Sequence, residues 1–168
     1  AHPDGRHVLM AGYAGYGRRG GGLGICDLVT GESTLITHKD LIPDQSTICL
    51  KSLPNADLVG GTSVETPGGG HPTAKEGVLY ILDWKSRKVV FQTVPVPGAS
   101  EVFSLEVGAD GLVYGLAAGS QFFVFDPQSK KVVHRQSLSE YGGLPRPALV
   151  RGADENIYAL FTKAIVRI

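Results

Sequence analysis

The 168-residue sequence has no excess of either charge: sixteen lysines and arginines balance sixteen aspartates and glutamates. A balanced chain has no global field to draw in nucleic acid, an anionic membrane or an acidic polymer, so none of these partners is expected. Cysteine is scarce too. Cys26 and Cys49 each sit inside an apolar run (LGICDL and STICLKSL) with no CxxC or Cys/His spacing, so no metal site is expected and both read as buried free thiols. No apolar run approaches the roughly 18–20 residues of a membrane helix, and no basic-apolar-small leader opens the chain. The chain begins AHPDGRH without a methionine, so the sequence assigns no cellular compartment. The GxxxxGK[ST], GxSxG and HExxH motifs are absent, and no cofactor is indicated.

Glycine, in contrast, is abundant at 23 residues, about twice the usual share of ~7%. Between the glycines lie short runs such as HVLMAGY, LGICDL, VLYILDW, FFVFD and IYALFT. They alternate with period two or are apolar throughout over five to eight residues, which predicts an all-β chain. A chain of this length makes one domain, burying about 68–70% of its unfolded surface. A single helical turn is expected at residues 73–76, where Thr73 and Glu76 match the capping-box pattern ahead of Gly77.

The runs repeat. Asp27, Asp83 and Asp126 each close a strand and lead through a polar turn (VTGE, KSRK or PQSKK) into another strand. Four strands per unit and a base period in the low forties are the spacing of propeller blades, roughly 40–50 residues each. Through PDGR, ADGLVYGLAAG, FFVFDPQSKKVV and VLYILDWKSRKVV the sequence resembles the WD40-like, quinoprotein-like and YVTN-like β-propellers of bacteria, although the GH and WD dipeptides of true WD40 repeats are missing. The resemblance implies about three to four blades of four antiparallel strands. The expected boundaries are strands B to D of a first blade over 7–40, whole blades over 46–95 and 101–139, and an incomplete fourth over 147–168. It further implies part of a larger, six- to eight-bladed propeller, whose remaining blades, from an upstream segment or another chain, meet the open strand edges.

Loop length gives the units two unlike sides. The A–B turns (PNAD, GADG, ADEN) and C–D turns are short, and antiparallel succession puts them on one face. Every long connection, including AGYGRRGGG, HKDLIPDQ and ETPGGGHPTAKEG, falls on the other, where binding and catalysis are expected. The ligand-binding candidates there are Tyr16, Arg18, Gln45, His71, Lys75, Glu101 and Arg146. Gln45, Glu101 and Arg146 stand at or just before successive inner strands, closest to a channel mouth. Gly15, Gly17 and Gly20 spell GxGxxG, yet strand follows them and not a helix N-terminus, so they serve a loop and not a dinucleotide.

Two functions fit these residues. One is a binding module that holds a glycan, another small molecule or a protein on tyrosine faces and arginine forks. The other is a carbohydrate-active propeller, a polysaccharide lyase or a sugar or lactone hydrolase. Its catalytic candidates are His71 or Tyr141 as base, Arg146 to neutralise a carboxylate, and Glu101. Proton transfer requires these groups within hydrogen-bond reach of one another, which separates the two readings.

Overall fold

The computed structural model describes residues 1–145 and 148–168. Fourteen strands form four antiparallel sheets among these residues. Sheet 1 holds β1 (His7–Tyr13), β2 (Gly21–Asp27) and β3 (Ser33–Thr37). Sheet 2 runs through β4 (Ser46–Ser52), β5 (Leu58–Ser63), β6 (Leu79–Asp83) and β7 (Lys88–Thr93). Sheet 3 comprises β8 (Val102–Val107), β9 (Val113–Ala117), β10 (Gln121–Asp126) and β11 (Lys131–Ser137). Sheet 4 has β12 (Leu149–Arg151), β13 (Ile157–Leu160) and β14 (Ile165–Arg167). Each sheet is a simple meander in chain order. The first strands of sheets 2, 3 and 4 lie side by side, β4 against β8 and β8 against β12.

Two turn types recur, and their chemistry explains the repeat. In the first, the residue before the turn donates its N–H across it, and an Asp or Asn side chain accepts an N–H two residues on. This turn is built at His2, Leu53, Gly108 and Gly152, with Asp4, Asn55, Asp110 and Asp154 as the acceptors. The next residue has positive φ: Gly5, Ala56, Gly111 and Glu155. In the second type the strand-ending Asp27, Asp83 or Asp126 accepts an N–H two or three residues ahead. Gly31, Arg87 and Lys130 close it at positive φ. The side chain thus satisfies donors that the bend would otherwise leave bare.

Three apolar clusters lie between successive sheets. Leu23, Ile25 and Ile36 meet Leu58, Tyr80 and Leu82 between sheets 1 and 2. Val59, Leu79 and Ile81 meet Val113, Phe123 and Phe125 between sheets 2 and 3. Leu116 and Phe122 meet Leu149, Ile157 and Phe161 between sheets 3 and 4. A second-strand glycine seats a third-strand aromatic in two of these layers: a Cβ on Gly60 would lie 2.3 Å from the Tyr80 ring, and one on Gly115 would lie 2.1 Å from Phe123. Sheet 1 reverses the sizes, pairing Met10 with Gly24 on its outward face. Met10 is 76% exposed there and Leu35 67%.

Two local expectations fail. Residues 73–76 form no helical turn, because Thr73 gives its hydroxyl to Asp44 at 2.9 Å and Glu76 accepts the Gly98 N–H at 2.6 Å. Tertiary partners took both capping groups. The only helical turn among the described residues is Ser139–Tyr141. Neither cysteine is fully buried: Cys49, its thiol 3.2 Å from the Val102 carbonyl, is half-buried, and so is Cys26. Its strand position shares the uncovered face of sheet 1 with Val8 and Ser33.

Candidate functional site

The long connections converge on one face and bond to each other. Residues 14–20, between β1 and β2, meet residues 64–78, between β5 and β6. Gly17 donates its N–H to the Pro67 carbonyl at 2.9 Å. The Tyr16 ring lies directly over Gly68, where a Cβ would come within 2.1 Å of it. Gly68 has φ of 62°, so glycine is required there twice over, for its backbone and for the ring above it. Tyr16 is nevertheless 86% exposed, a flat aromatic surface fixed from below and open above.

The link from β3 to β4 closes a second side. The His38 ring packs on Gly20, and His38 Nδ1 accepts the Asp44 N–H at 2.9 Å. Asp44 turns its carboxylate towards Thr73 and, at 3.8 Å, towards the Arg19 guanidinium. Asp44 has φ of 60°. Arg18 is exposed and, among the described residues, forms no ion pair. His71 and Lys75 are likewise exposed and make no side-chain hydrogen bond among the described residues. The three stand as free donors on a rim whose backbone is tied down.

Beneath the rim lies a buried polar row that the strand ends supply. Gln45 stands immediately before β4 and is 7% exposed; its Oε1 accepts the Thr62 hydroxyl. Thr62 Oγ1 also accepts the Val78 N–H at 2.7 Å. Glu101, 5% exposed, stands immediately before β8; its Oε1 accepts the Ser63 hydroxyl at 2.7 Å and the Tyr13 hydroxyl at 3.4 Å. The Ser46 hydroxyl bonds the Gly20 carbonyl at 2.9 Å, and Thr47 meets the Tyr80 hydroxyl at 2.9 Å. Burial pushes the Tyr80 phenol up to about 12, which keeps it a neutral partner for Thr47. Burying these groups is tolerable because each has a partner. The same bonds stitch sheet 1 to sheet 2 and sheet 2 to sheet 3.

Of the sequence candidates, Tyr16, Arg18, Gln45, His71, Lys75 and Glu101 therefore share one face, with Tyr16, Arg18, His71 and Lys75 on the rim and Gln45 and Glu101 beneath it. Arg146 lies outside the described residues. Tyr141, the other candidate base, is partly buried and its ring packs against Phe161 at 5.7 Å. The three-residue helical turn directs it onto sheet 4. Among the described residues no hydrogen bond joins His71, Glu101 and Tyr141 to one another, and no group of three or more His, Cys, Asp or Glu side chains is placed to hold a metal ion. Sequence reading missed Tyr13 as a partner of Glu101 and missed the Ser63 and Thr62 hydroxyls. The only available signal was hydroxyl residues at the end of an otherwise glycine-rich strand.

No protein-family model matches the chain, and no curated protein matches it. Solved structures do. The propeller of Dos1 superposes with a TM-score of 0.62 at 16% identity, covering 91% of this chain and 36% of that one. The WD40 β-propeller domain of Doa1 gives 0.65 at 10% identity, with 98% of this chain and 47% of that one covered. The extracellular domain of a proposed hybrid two-component system from B. thetaiotaomicron gives 0.64 at 12% identity, covering 98% and 19%. The chain spans less than half the length of each of these. At such identities the likeness is one of fold: four blades of a β-propeller, with the first and last each holding three strands.

Proposed function

We propose that this chain is the ligand-recognising part of a β-propeller, and that its long-loop face binds a glycan. The observation that carries the reading is Tyr16, 86% exposed yet seated on Gly68 between two loops that hydrogen-bond to each other. A sugar ring offers an apolar face that stacks on such a surface and hydroxyls that Arg18, His71 and Lys75 can bond. Gln45 and Glu101 lie below as the anchored floor. Because the rim is fixed before binding, little ordering entropy opposes the ligand. Among the described residues His71, Glu101 and Tyr141 make no hydrogen bond to one another, so this geometry adds no support to a carbohydrate-active enzyme.

The same reading completes the ring. Sheet 1 leaves Val8, Met10 and Leu35 exposed, and sheet 4 leaves Val150, Leu160 and Ile165 exposed. These apolar faces are the surfaces that further blades, from the same protein or another chain, cover.

The test is a glycan array probed with the intact protein, followed by titration of any ligand found. Tyr16→Ala and His71→Ala with Lys75→Ala should each weaken binding by about tenfold or more and leave the melting temperature unchanged. Binding that survives both variants, or an array without a ligand, refutes the glycan reading.

A further inference from the structure

The short-turn face carries a cleft between each pair of neighbouring blades, and the clefts are filled differently. Between blades 1 and 2 the Trp84 indole occupies the space. His2 stacks on it at 3.6 Å between centroids, and the Arg87 guanidinium lies 3.0 Å from its centre. Two groups that close to one ring centre must take opposite faces, so the indole is sandwiched. The corresponding positions between blades 2 and 3, matched by the two turn types, are Leu53 for His2, Pro127 for Trp84 and Lys130 for Arg87. These three side chains line a cleft of about 530 Å³. That size lies within the roughly 300–1,000 Å³ of ligand-binding clefts.

Its wall is apolar, formed by Leu53, Ile81, Val90 and Leu112. Its rim is acidic, with Asp57, Asp110 and Asp126 facing in from three turns. Each carboxylate accepts hydrogen bonds from nearby donors: Asp57 from the Asn55 side-chain amide and from the Trp84 backbone N–H of the turn after β6, Asp110 from the Tyr114 hydroxyl and Asp126 from the Ser129 hydroxyl. None of the three forms an ion pair among the described residues. Lys130, the one basic side chain at the rim, sits 5.8 Å from the Phe91 ring and pairs with none of them. An apolar slot under uncompensated negative charge selects an occupant with an apolar stem and a cationic head.

We propose that this cleft is a docking site for an extended peptide segment presenting an arginine between apolar residues. The arginine stem and its neighbours cover Leu53, Val90 and Leu112, and the guanidinium fork meets the carboxylates of Asp57, Asp110 and Asp126. A fork suits three separated carboxylates better than a point charge does. The site is on the face opposite the long loops, so a partner held here leaves the glycan surface free.

The experiment uses the intact protein and three fluorescein-labelled heptapeptides, GSLXLSG with arginine, glutamine or glutamate at X, read by fluorescence anisotropy. The arginine peptide should bind about tenfold tighter or more than the glutamine peptide, with no binding by the glutamate peptide. Val90→Lys places a cation in the cleft without touching any turn carboxylate, and at an exposed outer-strand position it leaves folding intact. It should weaken the arginine peptide by about tenfold, whereas His71→Ala on the opposite face should not. Equal binding of the three peptides, no binding at about 1 mM, or full affinity in Val90→Lys overturns the proposal.

Discussion

Trp84 is the one tryptophan of the chain, and its surroundings make it a reporter for the joint between blades 1 and 2. His2 is 2% exposed, donates from Nε2 to the Ala56 carbonyl at 2.8 Å and covers one face of the indole. Replacing His2 by alanine should shift Trp84 emission to the red and cost about 1–2 kcal/mol from lost stacking and an unpaired carbonyl, measured by fluorescence-monitored urea unfolding. The two thiols should separate as well. Burial pushes Cys49 up to about 12, so a thiol reagent at about pH 8 should label Cys26 in the native protein and Cys49 only after denaturation. Neither feature is legible in the sequence at residue scale. His2 and Trp84 are far apart along the chain, and nothing local marks them as neighbours. The strand assignment of Cys26 and Cys49 was readable, but not which of their sheet faces would lie uncovered.

At the scale of elements the turns carry the repeat, and they were the most readable part of the chain. PDGR, PNAD, GADG and ADEN show their acid or amide acceptor and, in two of them, the glycine that follows. The positive-φ positions at Ala56, Arg87, Lys130 and Glu155 were not readable, since those residue types give no sign of a left-handed backbone. Hydrogen bonds received from Ser86, from Ser129 and Gln128, and from Asn156 and Tyr158 hold Asp83, Asp126 and Asp154 below the ordinary carboxylate value of 3.8. A folded value below the unfolded one means stability present above about pH 4 and lost as pH falls through the folded value. The melting temperature should therefore drop between about pH 4 and about pH 2, and Asp126→Asn should show a smaller drop over the same window. The strand glycines make the opposite kind of element. Gly60→Ala or Gly115→Ala would drive a methyl into Tyr80 or Phe123 and should cost about 1–3 kcal/mol, seen as a lower denaturation midpoint.

Across the whole molecule, the sidedness of the loops was legible because it follows from strand alternation alone. Which loops touch was not: Gly17 with Pro67 and Tyr13 with Glu101 depend on how neighbouring sheets twist against each other. The end faces yield a further test. Met10 is the sole methionine and 76% exposed in this chain. If further blades cover sheet 1, hydrogen peroxide should oxidise Met10 rapidly in the isolated chain and slowly in the intact protein, as peptide mass spectrometry would show. Equal rates would mean that this face stays bare.

The paired sizes across the sheets carry one more consequence. Blades 2 and 3 present small residues on the second strand and an aromatic on the third, Gly60 with Tyr80 and Gly115 with Phe123, towards the blade before them. Blade 1 presents Met10 with Gly24 instead. A neighbour shaped to fit one relief cannot sit on the other, so otherwise similar blades are keyed. The order of the blades is written in volume, and a chain with blades 1 and 2 exchanged would keep its turns and lose the packing between its sheets.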